Sequence, residues 1–242
     1  MIKTMKRTLG VIMGFMLMMT LIPMSVFAAG GVPSTYSGST NQIVGQIDLS
    51  GVTHNEGSEV QKDGKLYYEG TISGTVEASD LFEGAYNKYI ADIKGQTTGG
   101  KQWDHLVMFD KGQNFPTARY TVHFPKDFVV NVNAINATEN TAMISKISKQ
   151  FNEADNSVTF TFNLGNWNDY EEFFKLYEGE KGTTGHPISI SIPYSVEIKD
   201  AGASTLGTIS ADGKCELFYK KWFFETKIVD VTATKIDFNV SR

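Results

Sequence analysis

Residues 166–182, NWNDYEEFFKLYEGEKG, place Trp167, Tyr170, Phe173, Phe174 and Tyr177 among Asp169, Glu171, Glu172, Glu178 and Glu180. Aromatic rings beside paired carboxylates are what sugar-cleaving chemistry needs: a ring to stack on the sugar, one acid and one base. The same residues also satisfy a plain helix. Asp169 and Glu172 have capping-box spacing, and Glu171 with Lys175 forms a favourable i,i+4 pair. Tyr170, Phe173, Phe174 and Tyr177 share one helical face, and acids at the start suit the positive end of the helix dipole. Each residue thus has a structural task, and the segment reads as a helix docked on a core.

The other chemical patterns are incomplete. GQTTGGKQ, residues 95–102, has the spacing of a phosphate-binding loop, ending in Gly100 and Lys101. Gln102 stands where Ser or Thr would hold magnesium, and the following WDHLVMFD reads as strand, so no helix N-terminus cradles a phosphate. His54, His105, His123 and His186 contain no HxxxH pair, and none lies near Cys215 in sequence. There is no GxSxG and no SxxK with its partner motifs, and SADGK is a turn, not a calcium loop. Cys215, the only cysteine, sits in an alternating strand and reads as a buried thiol, not a nucleophile. Asp104 and Asp110 end hydrophobic strands near aromatics and are the best carboxylates for a hydrolase. No catalytic, metal or cofactor residue is therefore assigned. Trp103, Trp167, Tyr170 and Trp222 are the candidate ligand contacts, since rings on loops and sheet faces stack on sugars or grip a protein partner.

The elements that position these residues start behind an export signal. Lys3, Lys6 and Arg7 precede an apolar run from Leu9 to Met24, followed by SVFAAG. Val26 and Ala28 fit the −3 and −1 positions of a cleavage site, with Pro23 breaking the helix just before it. An uncleaved anchor is the competing reading, and the small-residue site favours cleavage after Ala28. The 242-residue chain carries 22 basic and 27 acidic residues. Three of the basic ones lie in the leader, so the exported part has a net charge of about −8. An acidic body argues against nucleic acid and against electrostatic docking on anionic membranes, and no stable membrane insertion is expected after cleavage. With one cysteine there is no intrachain disulfide, so stability must come from core burial.

Residues 29–41, AGGVPSTYSGSTN, read as a flexible lead-in, and 42–242 as one domain. Alternation of period two dominates: QIVGQIDLSGV, WDHLVMF, ARYTVHF, DFVVNVNAI, SVTFTFNLG, PISISIPYSVEI, GKCELFYKKWFF and KIDFNV. Asp63-Gly64 marks a hairpin turn. In SDLFEGAYNKYIADIKG the apolar stripe from Leu81 to Ile93 has helical spacing, with a capping box at Asp80 and Glu83 and a stop at Gly95. TAMISKISKQF suits a helix by its Met143, Ile144, Ile147 and Phe151 spacing, or a strand paired with SVTFTF; the strand is favoured. The pattern predicts a mainly β chain, an antiparallel β-sandwich with two inserted amphipathic helices.

The signal peptide, the acidic low-cysteine body and the phrases YTVHFPKDF, NSVTFTFNLG and ISISIPYSVEI resemble the N-terminal immunoglobulin-like regions of Gram-positive cell-surface proteins and adhesins. That resemblance implies an Ig-like sandwich at the cell surface or outside the cell. The chain ends in KIDFNVSR without a sorting signal, implying either release or a longer anchored protein. The first functional expectation is an exported non-enzymatic module that recognises a protein or glycan. The alternatives are a polysaccharide hydrolase using strand-borne carboxylates, and a carrier holding an apolar ligand between sheet and helices. The carrier requires an internal cavity beside the Leu81–Ile93 stripe.

Overall fold

The computed structural model describes residues 31–37, 41–165, 169–221 and 223–242. The first sheet contains β1 (Ser34–Ser37), β2 (Ile43–Ile47), β7 (Met108–Phe109), β8 (Thr117–His123), β11 (Ile144–Asn152), β12 (Ser157–Leu164), β14 (Thr205–Lys221) and β15 (Phe224–Ser241). Its order is β1-β2-β15-β14-β8-β12-β11, with β7 also on β14. The second sheet holds β3 (Thr53–Lys62), β4 (Lys65–Glu77), β9 (Phe128–Val130), β10 (Asn136–Glu139) and β13 (Pro187–Glu197), in the order β10-β13-β4-β3, with β9 beside β13. Pairing is antiparallel except for β2 on β15, which is parallel. A small ribbon, β5 (Thr97–Thr98) with β6 (Lys101–Gln102), stands apart. Helix α1 spans Ala78–Asp92 and α2 spans Tyr170–Glu180. Gly31–Arg242 forms one compact unit, so the mainly β sandwich with two inserted helices is the observed architecture.

Local sequence explains most of these elements. Asp63 and Gly64 both have positive φ (49° and 79°), the tight turn that joins strands of right-handed twist. Gly99 and Gly100 (φ 60° and 77°) close the β5–β6 ribbon in the same way, so the phosphate-loop spacing belongs to a hairpin. In β13, Ile188, Ile192, Tyr194 and Val196 are buried at alternate positions, as period two demands. Pro193 offers no N–H, and the edge beside it switches partners there, from β9 at 194–196 to β10 at 188–191. The 144–152 stretch is a strand, hairpin-paired from Asn152–Ser157 back to Ile144–Leu164, because pairing with SVTFTF buries Ile144 and half-buries Ile147 and Phe151.

One expectation needs correction. Helix α1 begins at Ala78, two residues before the expected cap at Asp80. Its first amide is satisfied by the residue just before β13 and not by a side chain: Ala78 N–H donates to the His186 carbonyl at 3.0 Å, while His186 N–H donates to the Glu77 carboxylate at 2.8 Å. β4 thus runs straight into the helix while still paired to β13, and Asp80 falls within the first turn. Within the lead-in, Ser34–Ser37 form β1. Ser34–Ser37 pair with β2, and the Tyr36 ring lies against the Cα of Gly45 and of Gly84, where a Cβ would clash at 2.6 Å. Burial pushes the Tyr36 hydroxyl up to about 12.

The core has two lobes. One lies between the sheets around Ile72, Tyr120, Val122, Phe160, Ile192 and Ile209. The other lies under the helices around Tyr89, Ile93, Met143, Tyr170, Phe174 and Tyr177. Between them the packing is incomplete.

Candidate functional site

The gap between the lobes is a cavity of about 200 Å³. Its origin is a coincidence of small residues. Gly74 on β4, Ala85 on α1, Ala118 on β8, Gly213 and Cys215 on β14 and Ala233 on β15 all line it. Large side chains surround these positions: Phe162, Leu217 and Val229 from the first sheet, Ile188 and Ile190 from the second, and Leu81, Phe82, Phe173 and Phe174 from the helices. Interiors close-pack, so a void of this size is unusual, and one lined by aliphatic and aromatic groups gives water few partners.

Two charged side chains, Arg119 and Lys214, also border it, paired with Asp110 and Glu216, and several of its other polar groups are engaged. Thr53 Oγ1 and the Tyr120 hydroxyl are 3.5 Å apart, and the Tyr170 hydroxyl donates to the Ile228 carbonyl at 2.9 Å. Cys215 lines the cavity and is partly accessible, yet burial pushes its thiol up to about 12, so it stays protonated and weakly nucleophilic at neutral pH. No Asp or Glu lines the cavity among the described residues. The site can hold an apolar molecule by exclusion of water.

The carboxylates considered for hydrolysis do not line the cavity, although Asp110 pairs with Arg119 at its border; they belong to separate structural networks. Asp104 is buried; one oxygen accepts from Gly95 N–H at 2.9 Å, and its carbonyl accepts from Glu171 N–H at 3.0 Å, tying the end of α1 to the start of α2. Asp110 is buried against Arg119 (2.6 Å), the Thr117 hydroxyl and Gly112 N–H. Burial alone would raise its carboxyl; the bonds from Thr117, Gly112 and Arg119 outweigh that and hold it below the usual range. Glu171 meets His105 at 2.9 Å and Lys175 at 3.3 Å, and Glu172 meets Lys175 at 2.7 Å. His123 stands 3.8 Å from Asp212. Among the described residues no three metal-binding side chains cluster.

The docking reading of 169–180 is the observed one. Asp169 caps α2 by accepting from Glu172 N–H at 2.9 Å, and Tyr170, Phe173, Phe174 and Tyr177 are buried. Phe174 stacks on Tyr89 of α1 with ring centres 4.6 Å apart. Removing the cap with Asp169→Ala should cost about 1 kcal/mol. Thermal denaturation should then show a fall in Tm of about 2–4 °C, with the helix retained because its aromatic face stays buried. Of the four candidate contacts, Trp103 is half-buried and donates from Nε1 to Thr98 Oγ1 at 3.0 Å. Tyr170 is 1% exposed and forms part of the cavity wall. Trp167 and Trp222 lie outside the described residues. The cavity itself is not legible in the sequence, which supplies only the condition for a carrier, a void beside the Leu81–Ile93 stripe.

No family model matches the chain, and no curated protein matches it. Among solved structures it is similar to the collagen-binding domain of a Staphylococcus aureus adhesin (6% identity, 79% of this chain, 97% of that chain, TM-score 0.30). It is also similar to the collagen-binding subdomain of an Enterococcus faecalis surface protein (8% identity, 76% and 96%, TM-score 0.26). A third likeness is to a pore-forming protein (7% identity, 88% and 92%, TM-score 0.27). The first two come from the class of surface protein that the strand phrases resemble. At these identities and TM-scores the likeness carries nothing about ligand or role.

Proposed function

We propose that this chain is an exported, non-enzymatic binding protein whose ligand is a small apolar molecule held between the two sheets and the two helices. One observation carries the reading: a cavity of about 200 Å³ walled by apolar side chains, adjoining the Leu81, Phe82 and Ala85 face of α1. An apolar cavity of about 150 Å³ is enough to stay dry and bind benzene, so this one has room for a ring with a short alkyl tail, or the end of an acyl chain. A protein or glycan partner bound at the surface is compatible with this reading, but no described surface residue argues for it as directly. Export rests on the leader sequence, and the acidic, cysteine-poor body suits it.

The test is methyl-resolved NMR of the folded protein titrated with n-butylbenzene. Saturable shifts confined to the Ile188, Ile190, Leu217, Val229 and Ala118 methyls support the reading. Shifts that are absent, or spread over the surface, would remove it.

A further inference from the structure

The hairpin joining β14 to β15 carries the most exposed large apolar side chains of the described residues. Its end reads LFYKKWFF over 217–224, with two lysines and no acid. Phe223 is 92% exposed and Phe224 is 77% exposed. Lys220 is exposed beside them. Val107, one residue before β7, is 53% exposed at the same end, because Met108 pairs with Tyr219.

The ribbon projects. β8 pairs with β14 only over 210–214, and β2 pairs with β15 only over 229–233. Past Leu217 and Val229, β7 is the only further strand on the hairpin among the described residues. Past Tyr219, the last residue paired to β7, the ribbon advances two more residues to the Lys221–Phe224 pair, about 7 Å at strand rise.

Around the aromatic tip the charge is inverted relative to the acidic body. Lys111 Nζ sits 4.3 Å from the Phe218 ring centre and Lys101 Nζ sits 4.7 Å from that of Tyr219. Glu225, the nearest acid along the chain, faces Lys111 at 3.3 Å. Lysines behind a protruding pair of phenylalanines match an interface in which headgroup phosphates lie above acyl chains.

We propose that this hairpin tip docks the protein onto a bilayer containing anionic lipid, with Phe223 and Phe224 entering the headgroup–acyl boundary and the lysines meeting phosphates. Amphipathic segments at such interfaces bury their apolar side about 5–10 Å deep, which a ribbon of this reach can supply. The overall charge suggested the opposite, because a sum over the chain conceals where the lysines stand. No helix among the described residues is long and apolar enough to cross a membrane.

The test is co-sedimentation of the protein with phosphatidylcholine vesicles and with vesicles that also contain phosphatidylglycerol, each at low and physiological salt. Binding to the mixed vesicles, weakened by salt, is expected. Phe223→Ser with Phe224→Ser should lower it at least tenfold, and these exposed positions leave folding intact, as circular dichroism will verify. Lys101→Gln and Lys220→Gln should each cost about fivefold on anionic vesicles and little on neutral ones. A Phe223→Trp variant should be quenched by brominated acyl chains. No sedimentation with either vesicle would overturn the proposal. So would binding indifferent to the phenylalanines, or concentration-dependent self-association abolished by the double serine variant in the absence of lipid.

Discussion

Ala118→Leu should raise stability and remove apolar-ligand binding in the same protein. Ala118 lies on β8 in register with Phe162 of β12, and both border the cavity. A leucine there extends into the void, and filling a cavity of this kind contributes about 1–2 kcal/mol. For a chain of this size that corresponds to a rise in Tm of about 2–8 °C. Binding of n-butylbenzene, which needs the same space, should weaken at least tenfold. A saturating ligand stabilises only the form that binds it, so the wild-type Tm should rise on addition and that of the Ala118→Leu variant should not. Calorimetric scans with and without ligand read all of this. If the substitution destabilises instead, the interior is already full and leucine overpacks it. If it stabilises while leaving ligand binding untouched, the ligand sits elsewhere.

Asp110→Ala should be the most destabilising single change at a polar position, by about 3 kcal/mol, or roughly 6–12 °C in Tm. The substitution removes one buried carboxylate that joins Gly112 N–H, the Thr117 hydroxyl and Arg119. Thr117 is fully buried and would lose this hydroxyl's partner. Arg119 is about 39% exposed and can turn to water, so the figure is set below that for a fully enclosed pair. Asp110→Asn keeps an acceptor for Thr117 and should recover about half of the loss. The pH dependence has a definite sign. The carboxyl is held below its ordinary range in the folded state, so it stabilises the fold above the unfolded value of about 3.9. That contribution should be lost as pH falls through the folded value. Urea melts between pH 7 and pH 3 should therefore show wild type and Asp110→Ala converging at the acid end. Parallel curves would mean that the charge contributes nothing.

The features that were legible in sequence are local ones. Asp63-Gly64 announces its turn because few residue pairs accept positive φ twice in succession. The 170–177 stripe announces a docked helix because its four rings repeat at helical spacing, and Asp169 marks where it starts. The second sheet's alternation is legible in PISISIPYSVE for the same reason. Features built from distant residues were hidden. The start of α1 is set by His186, more than a hundred residues downstream, so Asp80 and Glu83 looked like a cap they do not form. Tyr36 sits in a polar, apparently loose segment and is fixed only because Gly45 and Gly84 leave it room. The cavity arises from six small residues on five elements, each unexceptional alone, which face one another once the sheets stack. Asp104 and Asp110 looked alike as acids at strand ends. Only their partners separate a helix-joining carboxylate from an ion-paired one.

Mass spectrometry of the protein recovered from its own cells without organic solvent tests the ligand site most directly. An intact mass above that of the chain by one small apolar molecule is expected, released on denaturation and lost in Ala118→Leu. Bare chain in both forms, together with a solved structure in which water or neighbouring side chains fill the space around Ala85, Ala118 and Ala233, would contradict it.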